Sequence, residues 1–314
     1  MGVLQRLKNT YSYGGFREVA RKAFFLVIYR AANRFTLRDV RRAPAEYGLN
    51  KEKREKMIVV SLTSFPARFS QLSPCLNSLI KQKTKPDRII VYLGSDTDES
   101  MITEEMRGFE QYGVEFRIDK EENLMPHKKY FYAMQEYPDA IVITADDDAV
   151  YPRDWVDSLY QSFLKYPVAV SARRVHLMKR NGEKLLPYDH WEDQCRRITV
   201  PSFSLIATGN SGVLYPPHCL SREAFDIDSI KKLCLRADDL WLKCNEVKNG
   251  VPVVWVENWE VKLTAIDSAA NQRLSDENIF TGTNDEVLSR IMEHLGLENS
   301  DFFDRGFREQ RYEE

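Results

Sequence analysis

A buried strand that leads directly into three carboxylates most constrains what this chain can fold into. Residues 141–145 form an apolar, β-branched run, which is typical of a strand covered on both faces. Asp146, Asp147 and Asp148 follow immediately, and Pro152 begins a helical pattern. Ligands of open α/β sheets bind at the carboxyl ends of the strands. We therefore predict an α/β fold in which these three acids face a ligand.

The three adjacent acids predict a divalent cation site. Neighbouring negative charges repel one another, and a bound cation favours their ionised forms. Mg²⁺ and Mn²⁺ prefer carboxylate oxygens and are commonly shared with substrate phosphates. The alternative is a solvated acidic turn that follows the strand without binding anything.

The distribution of charge divides the chain into two parts. Residues 1–56 hold 14 Lys or Arg against 5 Asp or Glu, whereas the remainder holds 31 against 42. This asymmetry predicts an anionic partner for the N-terminal segment and argues against broad nucleic-acid binding by the acidic body. The 5 cysteines contain no CxxC pair, so we predict reduced thiols in a cytosolic protein, without a disulfide framework or a zinc site.

Residues 1–56 are predicted to contain a basic amphipathic helix. Apolar residues between positions 16 and 35 follow helical spacing, with arginines and lysines largely between them. Such a helix can lie at an anionic membrane surface as a peripheral contact, or it can pack on the body with a solvated basic face. The sequence has neither a signal-peptide layout nor an apolar run of the ~20 residues that a membrane span needs.

Residues 57–300 are predicted to form one catalytic domain, divided into halves at 57–167 and 168–300, with a polar tail at 301–314. The pattern in the first half predicts a mainly parallel sheet with helices in the crossovers. Strands are predicted at 57–62, 88–93, 114–118 and 141–145, and helices at 70–83 and 128–136. In the second half we predict strands at 169–172 and 252–259, a glycine-bracketed turn at 208–214, a helix ending at 244 and a helix at 284–295.

Five stretches of the sequence together resemble the GT-A nucleotide-sugar glycosyltransferases, especially bacterial enzymes that assemble surface polysaccharides. The stretches are residues 61–66 followed by Arg68, the strand at 86–92, the DxD-like 144–148, the glycine-bracketed 209–212 and the acidic 237–241. The resemblance covers about residues 57–265. The chain is similar to inverting family-two members, although these usually show Glu-Asp at the later acidic motif and Pro-x-Tyr-Asn after the first strand.

The resemblance implies a GT-A fold with a small antiparallel sheet on the acceptor side, and it suggests a role for each site residue. It implies Mn²⁺ or Mg²⁺ at Asp146 and Asp148, and a nucleotide-sugar donor, with a UDP-hexose expected. Catalysis is assigned to Asp239 as general base with Asp238 beside it. Donor contacts are expected from Thr63, Ser64, Arg68, Asp96, Lys128, Lys129, Asp146 and Asp147, and acceptor contacts from Trp191, Asn210, Ser211 and Trp241.

Simpler structural roles stay open for several of these residues. Asp238 and Asp239 can cap a helix, Lys128 and Lys129 can form a solvated first helical turn, and Trp241 can pack in the core.

The expected function is transfer of a hexose to a hydroxyl of a glycan or lipid-linked saccharide in bacterial surface polysaccharide synthesis, at the inner face of the cytoplasmic membrane. A retaining enzyme with the same donor site and a non-catalytic carbohydrate- or lipid-binding module are the alternatives. Nucleotidyl transfer is disfavoured because the loop after the first strand is not rich in glycine and lysine. The sequence also has no P-loop, no Gly-rich dinucleotide motif and no nucleophile elbow.

Overall fold

The computed structural model describes residues 46–119, 123–258, 264–266 and 283–303, with a few single positions between 15 and 40. The predicted basic helix and most of the tail at 301–314 therefore lie outside the described residues. Within the described part, none of the helices is long and apolar enough to cross a bilayer.

A seven-stranded sheet forms the centre of the molecule. The described strands are β1 (Ile58–Ser64), β2 (Arg88–Leu93), β3 (Val114–Ile118), β4 (Ile141–Asp146), β5 (Ala149–Val150), β6 (Val170–Ala172), β7 (Val175–Leu177), β8 (Arg180–Asn181), β9 (Lys184–Leu185), β10 (Leu205–Ala207), β11 (Val213–Tyr215), β12 (Val253–Trp255) and β13 (Thr264–Ala265). The described α-helices are α1 (Ser73–Ile80), α2 (Glu104–Arg107), α3 (Lys128–Glu136), α4 (Trp155–Lys165), α5 (Ile227–Ser229), α6 (Asp238–Lys248) and α7 (Asn284–Leu295).

The strand order in the central sheet is β12-β6-β11-β4-β1-β2-β3. Strand β1 pairs in parallel with both β2 and β4, β2 pairs in parallel with β3, and β6 pairs in parallel with β12. Strand β11 runs antiparallel to its neighbours β4 and β6. The predicted mainly parallel sheet is confirmed. A separate antiparallel pair, β7 with β10, supplies the predicted small second sheet.

Burial on both faces explains why the first strands are continuously apolar. Ile58, Val60 and Leu62 of β1 face one core, which α1 and α4 cover, and Val59 faces a second core on the side of α3. All four side chains are fully buried. Each such side chain stabilises the fold by about 1.5–3 kcal/mol relative to an exposed one.

Several predicted element bounds agree with the structure and others do not; the strand predicted at 252–259, for example, is described only as β12, Val253–Trp255. Strands β2 and β3 and helices α3 and α7 have the predicted bounds. The helix predicted at 70–83 is instead a 3-10 helix, Pro66–Gln71, followed by α1. Pro74 lies at the start of α1, because proline lacks the N–H that a helix interior requires. The helix predicted to end at 244 has a π-helical turn at Ile230–Cys234, and α6 continues to Lys248.

The packed body includes residues before position 57. The backbone N–H of Gly48 donates to the carbonyl oxygen of Tyr112 at 2.9 Å, and that of Asn50 donates to the carbonyl of Pro86 at 2.8 Å. The end of the segment that we assigned to the N-terminal region therefore lies against β3 and the start of β2.

Gly212, directly before β11, has no room for a side chain. Its φ is +94°, and an added Cβ would lie 2.3 Å from Nε1 of Trp155, the indole nitrogen that donates to the Ser211 carbonyl at 2.9 Å. Gly182, in the β8–β9 turn, also has a positive φ, +61°, but an added Cβ there meets nothing within 4 Å. Comparing alanine substitutions at the two glycines therefore separates the cost of backbone strain from the cost of overpacking.

We predict that Gly212→Ala lowers the free energy of unfolding by about 3 kcal/mol, because it combines a strained φ with overpacking of Trp155. Gly182→Ala, which has the strain without the clash, should cost only about 1 kcal/mol. Urea unfolding of both variants measures the difference. Equal losses would show that Trp155 moves away without cost.

Candidate active site

The candidate site lies where the order of strands in the sheet reverses. From β1 the chain builds β2 and β3 on one side and β4 on the other, so the carboxyl ends of β1 and β4 flank a crevice. Thr63 of β1 is in register with Asp146 of β4. The Thr63 hydroxyl donates to the carbonyl oxygen of Tyr92 at 2.8 Å, which ties β1 to β2 at the same edge.

The middle acid of the three, Asp147, points into the protein. It is 7% exposed, and its two carboxylate oxygens accept from the Ser64 hydroxyl at 2.6 Å and from the Arg68 guanidinium at 2.5 Å. Burial raises the pKa of Asp147 to about 6, and the bonds from Arg68 and Ser64 oppose that rise. Asp147 therefore fixes the turn after β4 onto the loop after β1. Ser64 and Arg68, predicted to contact the nucleotide, have Asp147 as their partner.

The outer two acids have more open surroundings. The side chain of Asp148 is 45% exposed, with its carboxylate 3.3 Å from Arg68, and the side chain of Asp146 is 27% exposed. Burial, with a smaller effect from Asp146, raises the pKa of Asp148 above its ordinary value. The Tyr151 hydroxyl holds the backbone of Asp146, since it accepts from the Asp146 N–H at 2.7 Å and lies 3.2 Å from its carbonyl oxygen.

Asp146 and Asp148 fit a hard divalent cation by the chemistry of their donor atoms. Both present carboxylate oxygens, and a single residue separates them at the end of β4. Among the described residues, no group of three or more acidic, histidine or cysteine side chains is arranged to hold a metal. Two carboxylates leave coordination positions for phosphate oxygens and water, which is how Mg²⁺ is usually bound. The alternative is a solvated acidic turn without a partner. The structure argues against it, because Asp146 contacts Lys129 and Asp148 contacts Arg68.

Lys129 joins the triple acid to the later acidic pair. Its ammonium lies 3.0 Å from Oδ1 of Asp146 and 3.0 Å from Oδ2 of Asp238, and the residue is 5% exposed. Burial disfavours the charge, but Asp146, Asp238 and Asp239 outweigh it and hold the pKa of Lys129 well above its ordinary value. Lys128 is also buried, at 3% exposure. The alternative of a solvated first helical turn is therefore wrong for both lysines.

Asp238 and Asp239 begin helix α6 but differ in their environment. Burial of Asp238 is outweighed by the charge of Lys129, so the pKa of Asp238 is lowered. Burial and the neighbouring Asp238 raise the pKa of Asp239 to about 7, despite Lys129. Oδ1 of Asp239 accepts from the backbone N–H of Gly209 at 3.1 Å. The residue before the helix is Ala237, without a side-chain cap, so neither acid acts as an N-cap.

The turn from Gly209 to Gly212 lies between the two acidic groups. An added Cβ at Gly209 would lie 2.9 Å from Nζ of Lys129 and 3.4 Å from Oδ1 of Asp239, so the turn approaches both by its backbone. Asn210 is exposed and Ser211 is partly exposed, with the Ser211 hydroxyl 3.2 Å from the Asn210 side-chain oxygen. These two side chains are therefore accessible beside Asp239.

Asp96 and Asn123, the partner of Lys128, lie together beside Gly94, directly after β2. The Lys128 ammonium donates to the side-chain oxygen of Asn123 at 2.5 Å. Burial lowers the pKa of Lys128 to about 8, against the opposing charges of Asp96, Asp119 and Asp147. Asp96 follows β2 and is exposed. The region after β2 is therefore polar. Lys128 binds there, whereas Lys129 contacts Asp146 and Asp238.

The structure corrects the assignment of Trp241 as an acceptor contact. Trp241 is 0% exposed, and its indole N–H donates to the carbonyl oxygen of Ala224 at 3.1 Å. A side chain without exposed surface cannot contact an acceptor, so Trp241 belongs to the core. Trp191 is 7% exposed, packs its ring 4.8 Å from that of Tyr188 and donates to the Leu186 carbonyl at 2.8 Å. Its role is therefore mainly structural too.

Sequence reasoning missed three residues that shape the site. Tyr151 holds the backbone of Asp146, Asn123 accepts from the Lys128 ammonium, and Tyr188 is influenced by the charge of Asp239. Burial, with a smaller contribution from the charge of Asp239, raises the pKa of Tyr188 to about 12. An aromatic residue after a strand is usually core, and an asparagine between elements is usually a turn former, so the sequence carried no signal for them.

A mainly parallel sheet with a carboxylate-lined crevice at its strand reversal defines the GT-A class of glycosyltransferases. Residues 65–215, just under half of the chain, match the model of the family described as Glycosyl transferase family 2. This stretch matches a family 2 domain in sequence pattern, and the protein is a nucleotide-sugar glycosyltransferase. No curated protein matches the chain significantly.

Two proteins of known structure are similar to the chain in overall fold. A mannosyltransferase from Pyrobaculum calidifontis, PcManGT in complex with GDP-Man and Mn²⁺, is 12% identical with a TM-score of 0.43, over 90% of this chain and 81% of that one. S. aureus TarS 1–349 in complex with UDP-GlcNAc is 12% identical with a TM-score of 0.48, over 76% of this chain and 65% of that one. The chain thus spans slightly less than two thirds of the TarS 1–349 chain.

We predict that Arg68→Met lowers the free energy of unfolding by about 3–5 kcal/mol, because it leaves Asp147 buried without its cation. The double variant Arg68→Met/Asp147→Asn should recover a large part of that loss, since it removes both charges. Urea unfolding of both single variants and the double variant gives the coupling. Additive losses would mean that the ion pair contributes nothing.

Proposed function

We propose that this protein is a metal-dependent, inverting glycosyltransferase that moves a hexose from a UDP-sugar to a hydroxyl of a glycan or lipid-linked saccharide. We assign it to bacterial surface polysaccharide synthesis, of O-antigen, capsule or lipooligosaccharide, on the basis of the motif resemblance. The observation that carries the mechanism is the placement of Asp239. This acid accepts from the Gly209 N–H and is linked through Asp238 and Lys129 to Asp146 at the end of β4.

On the donor side, Asp146 and Asp148 would hold Mn²⁺ or Mg²⁺ together with the diphosphate. When bound, such an ion supplies Lewis-acid neutralisation of the negative charge that develops on the departing diphosphate. Thr63 lies near the carboxyl end of β1 and the exposed Asp96 follows β2, where the nucleoside of the donor is expected. Lys128 lies near Asp96, which supports a role for it at the same end.

On the acceptor side, Asp239 would act as the general base. It takes the proton from the acceptor hydroxyl as that oxygen bonds to the anomeric carbon. The bond from that carbon to the diphosphate oxygen breaks, and its electron pair leaves with UDP. Attack on the face opposite the leaving group inverts the anomeric configuration. A general base acts most effectively when its pKa is near the working pH, and the pKa of Asp239 is about 7.

The remaining assignments concern the acceptor and the location of the enzyme. Asn210 and Ser211 are accessible beside Asp239, which supports them as contacts to the acceptor. The basic composition of residues 1–56 supports a peripheral contact with anionic lipid at the inner face of the cytoplasmic membrane.

A panel of nucleotide sugars, assayed with Mn²⁺ for hydrolysis and for transfer, tests the proposal. The NMR coupling of the anomeric proton in the product distinguishes inversion from retention. A retained configuration would refute the role of Asp239 as base. Failure to bind UDP with Mn²⁺ by calorimetry would favour a carbohydrate- or lipid-binding module.

We predict that Asp239→Asn lowers transfer by about 100- to 10,000-fold, because the amide cannot accept the proton. Binding of UDP with Mn²⁺ should stay unchanged. In the unaltered enzyme, transfer should rise as pH increases through about 7, since Asp239 must be ionised to act and its pKa is raised to about 7. Asp228→Asn, an exposed aspartate on α5, is the matched control. Full activity of the Asp239 variant would remove the assignment.

We predict that Asp148→Asn abolishes the dependence of UDP binding on Mn²⁺, because the most exposed carboxylate of the three is lost. Calorimetric titration of UDP with and without Mn²⁺, and with excess EDTA, measures the effect. Unaltered metal-dependent binding by the variant would exclude Asp148 as a ligand, and transfer in excess EDTA would exclude the metal.

A further inference from the structure

The buried Lys129 has three carboxylates around it, and they come from both halves of the site. Asp146 ends β4 on the donor side, whereas Asp238 and Asp239 begin α6 on the acceptor side. The ammonium is 3.0 Å from Asp146 and 3.0 Å from Asp238. Since the residue is 5% exposed, water contributes little to solvating its ammonium.

The backbone around Lys129 is shaped to keep it in this position. The Ser61 hydroxyl of β1 donates to the Lys129 carbonyl oxygen, with a distance of 2.5 Å between the two oxygens. His127, two residues earlier, is fully buried, and its Nε2 lies 3.0 Å from the carbonyl oxygen of Cys234 in the π-helical turn before α6. The start of α3 is therefore connected to β1 and to the turn that leads into Asp238.

Gly209 provides the space for the ammonium. A Cβ at this position would lie 2.9 Å from Nζ of Lys129. The same glycine donates its N–H to Asp239. A single backbone turn thus borders the bridging lysine and orients the acid that we propose as base.

We infer that Lys129 is a positioning residue that sets the placement of the acceptor base relative to the donor carboxylates, as the shared counter-ion of Asp146 and Asp238. This inference rests on the proposed function. It differs from a direct contact between Lys129 and the diphosphate, the role that the sequence suggested. A diphosphate ligand would need an accessible ammonium, whereas Lys129 is 5% exposed and its ammonium already contacts Asp146 and Asp238.

The two roles predict opposite effects of Lys129→Met on donor binding. If Lys129 bound the diphosphate, its loss would weaken the binding of UDP with Mn²⁺. If it is a shared counter-ion, its loss leaves Asp146 more strongly negative, so the affinity for UDP with Mn²⁺ stays within about threefold or increases. Transfer should nevertheless fall by about 100-fold or more, because Asp239 is displaced from the donor.

Calorimetry with UDP and Mn²⁺, together with transfer kinetics, measures this split between binding and turnover. Weaker UDP binding by at least about tenfold would overturn the inference in favour of a phosphate contact. Near-normal transfer with normal binding would overturn it as well. Lys243→Met, which removes another buried lysine from α6, is the control and should change neither quantity by more than about twofold.

Removal of a buried cation can prevent folding, so a double variant is included. Lys129→Met/Asp238→Asn removes both charges of one pair and should be more stable to urea than Lys129→Met. It should still bind UDP with Mn²⁺ and still transfer poorly. A double variant no more stable than the single one, or one that recovers full transfer, contradicts the inference. If Asp239→Asn loses transfer while Lys129→Met keeps normal transfer, the inference about Lys129 is refuted and the proposed function is not affected.

Discussion

Negative charge gathered at one end of the sheet is the constraint on which the rest of this structure depends. Asp146, Asp147, Asp148, Asp238 and Asp239 meet at the crevice, and most of them are substantially buried. Two unit charges 4 Å apart repel by about 4 kcal/mol at an effective dielectric constant of ~20. Two buried cations, Arg68 and Lys129, offset this repulsion, and each of them contacts two carboxylates.

The two cations connect different parts of the structure. Arg68 comes from the loop after β1 and holds the acidic turn after β4, so it stabilises one edge of the sheet. Lys129 comes from α3 and joins that sheet edge to α6, which belongs to the second half of the domain. The end of β4 and the start of α6 are therefore connected by charge and not only through the hydrophobic cores.

Secondary structure could be predicted from the sequence, whereas contacts between residues far apart in the chain could not. The strand before Asp146, the bounds of α3 and the acids at the start of α6 all follow from short-range patterns. The pairing of Lys129 with Asp238 joins residues more than 100 positions apart, so nothing in either local pattern indicated it. Trp241 is a case in which a local pattern misleads. An aromatic residue beside an acidic motif suggests sugar binding, but helix α6 directs the Trp241 side chain into the core.

The glycine turn before β11 contains two positions that have no room for a side chain and one exposed position between them. Gly209 and Gly212 are confined by Lys129 and by Trp155, so substitutions at these positions disturb the site or the core. Asn210, between them, is exposed. A side chain held on a rigid backbone beside the reacting hydroxyl can be exchanged without altering packing. If the proposed function holds, new acceptor preferences can evolve at this position through single substitutions, while packing is preserved.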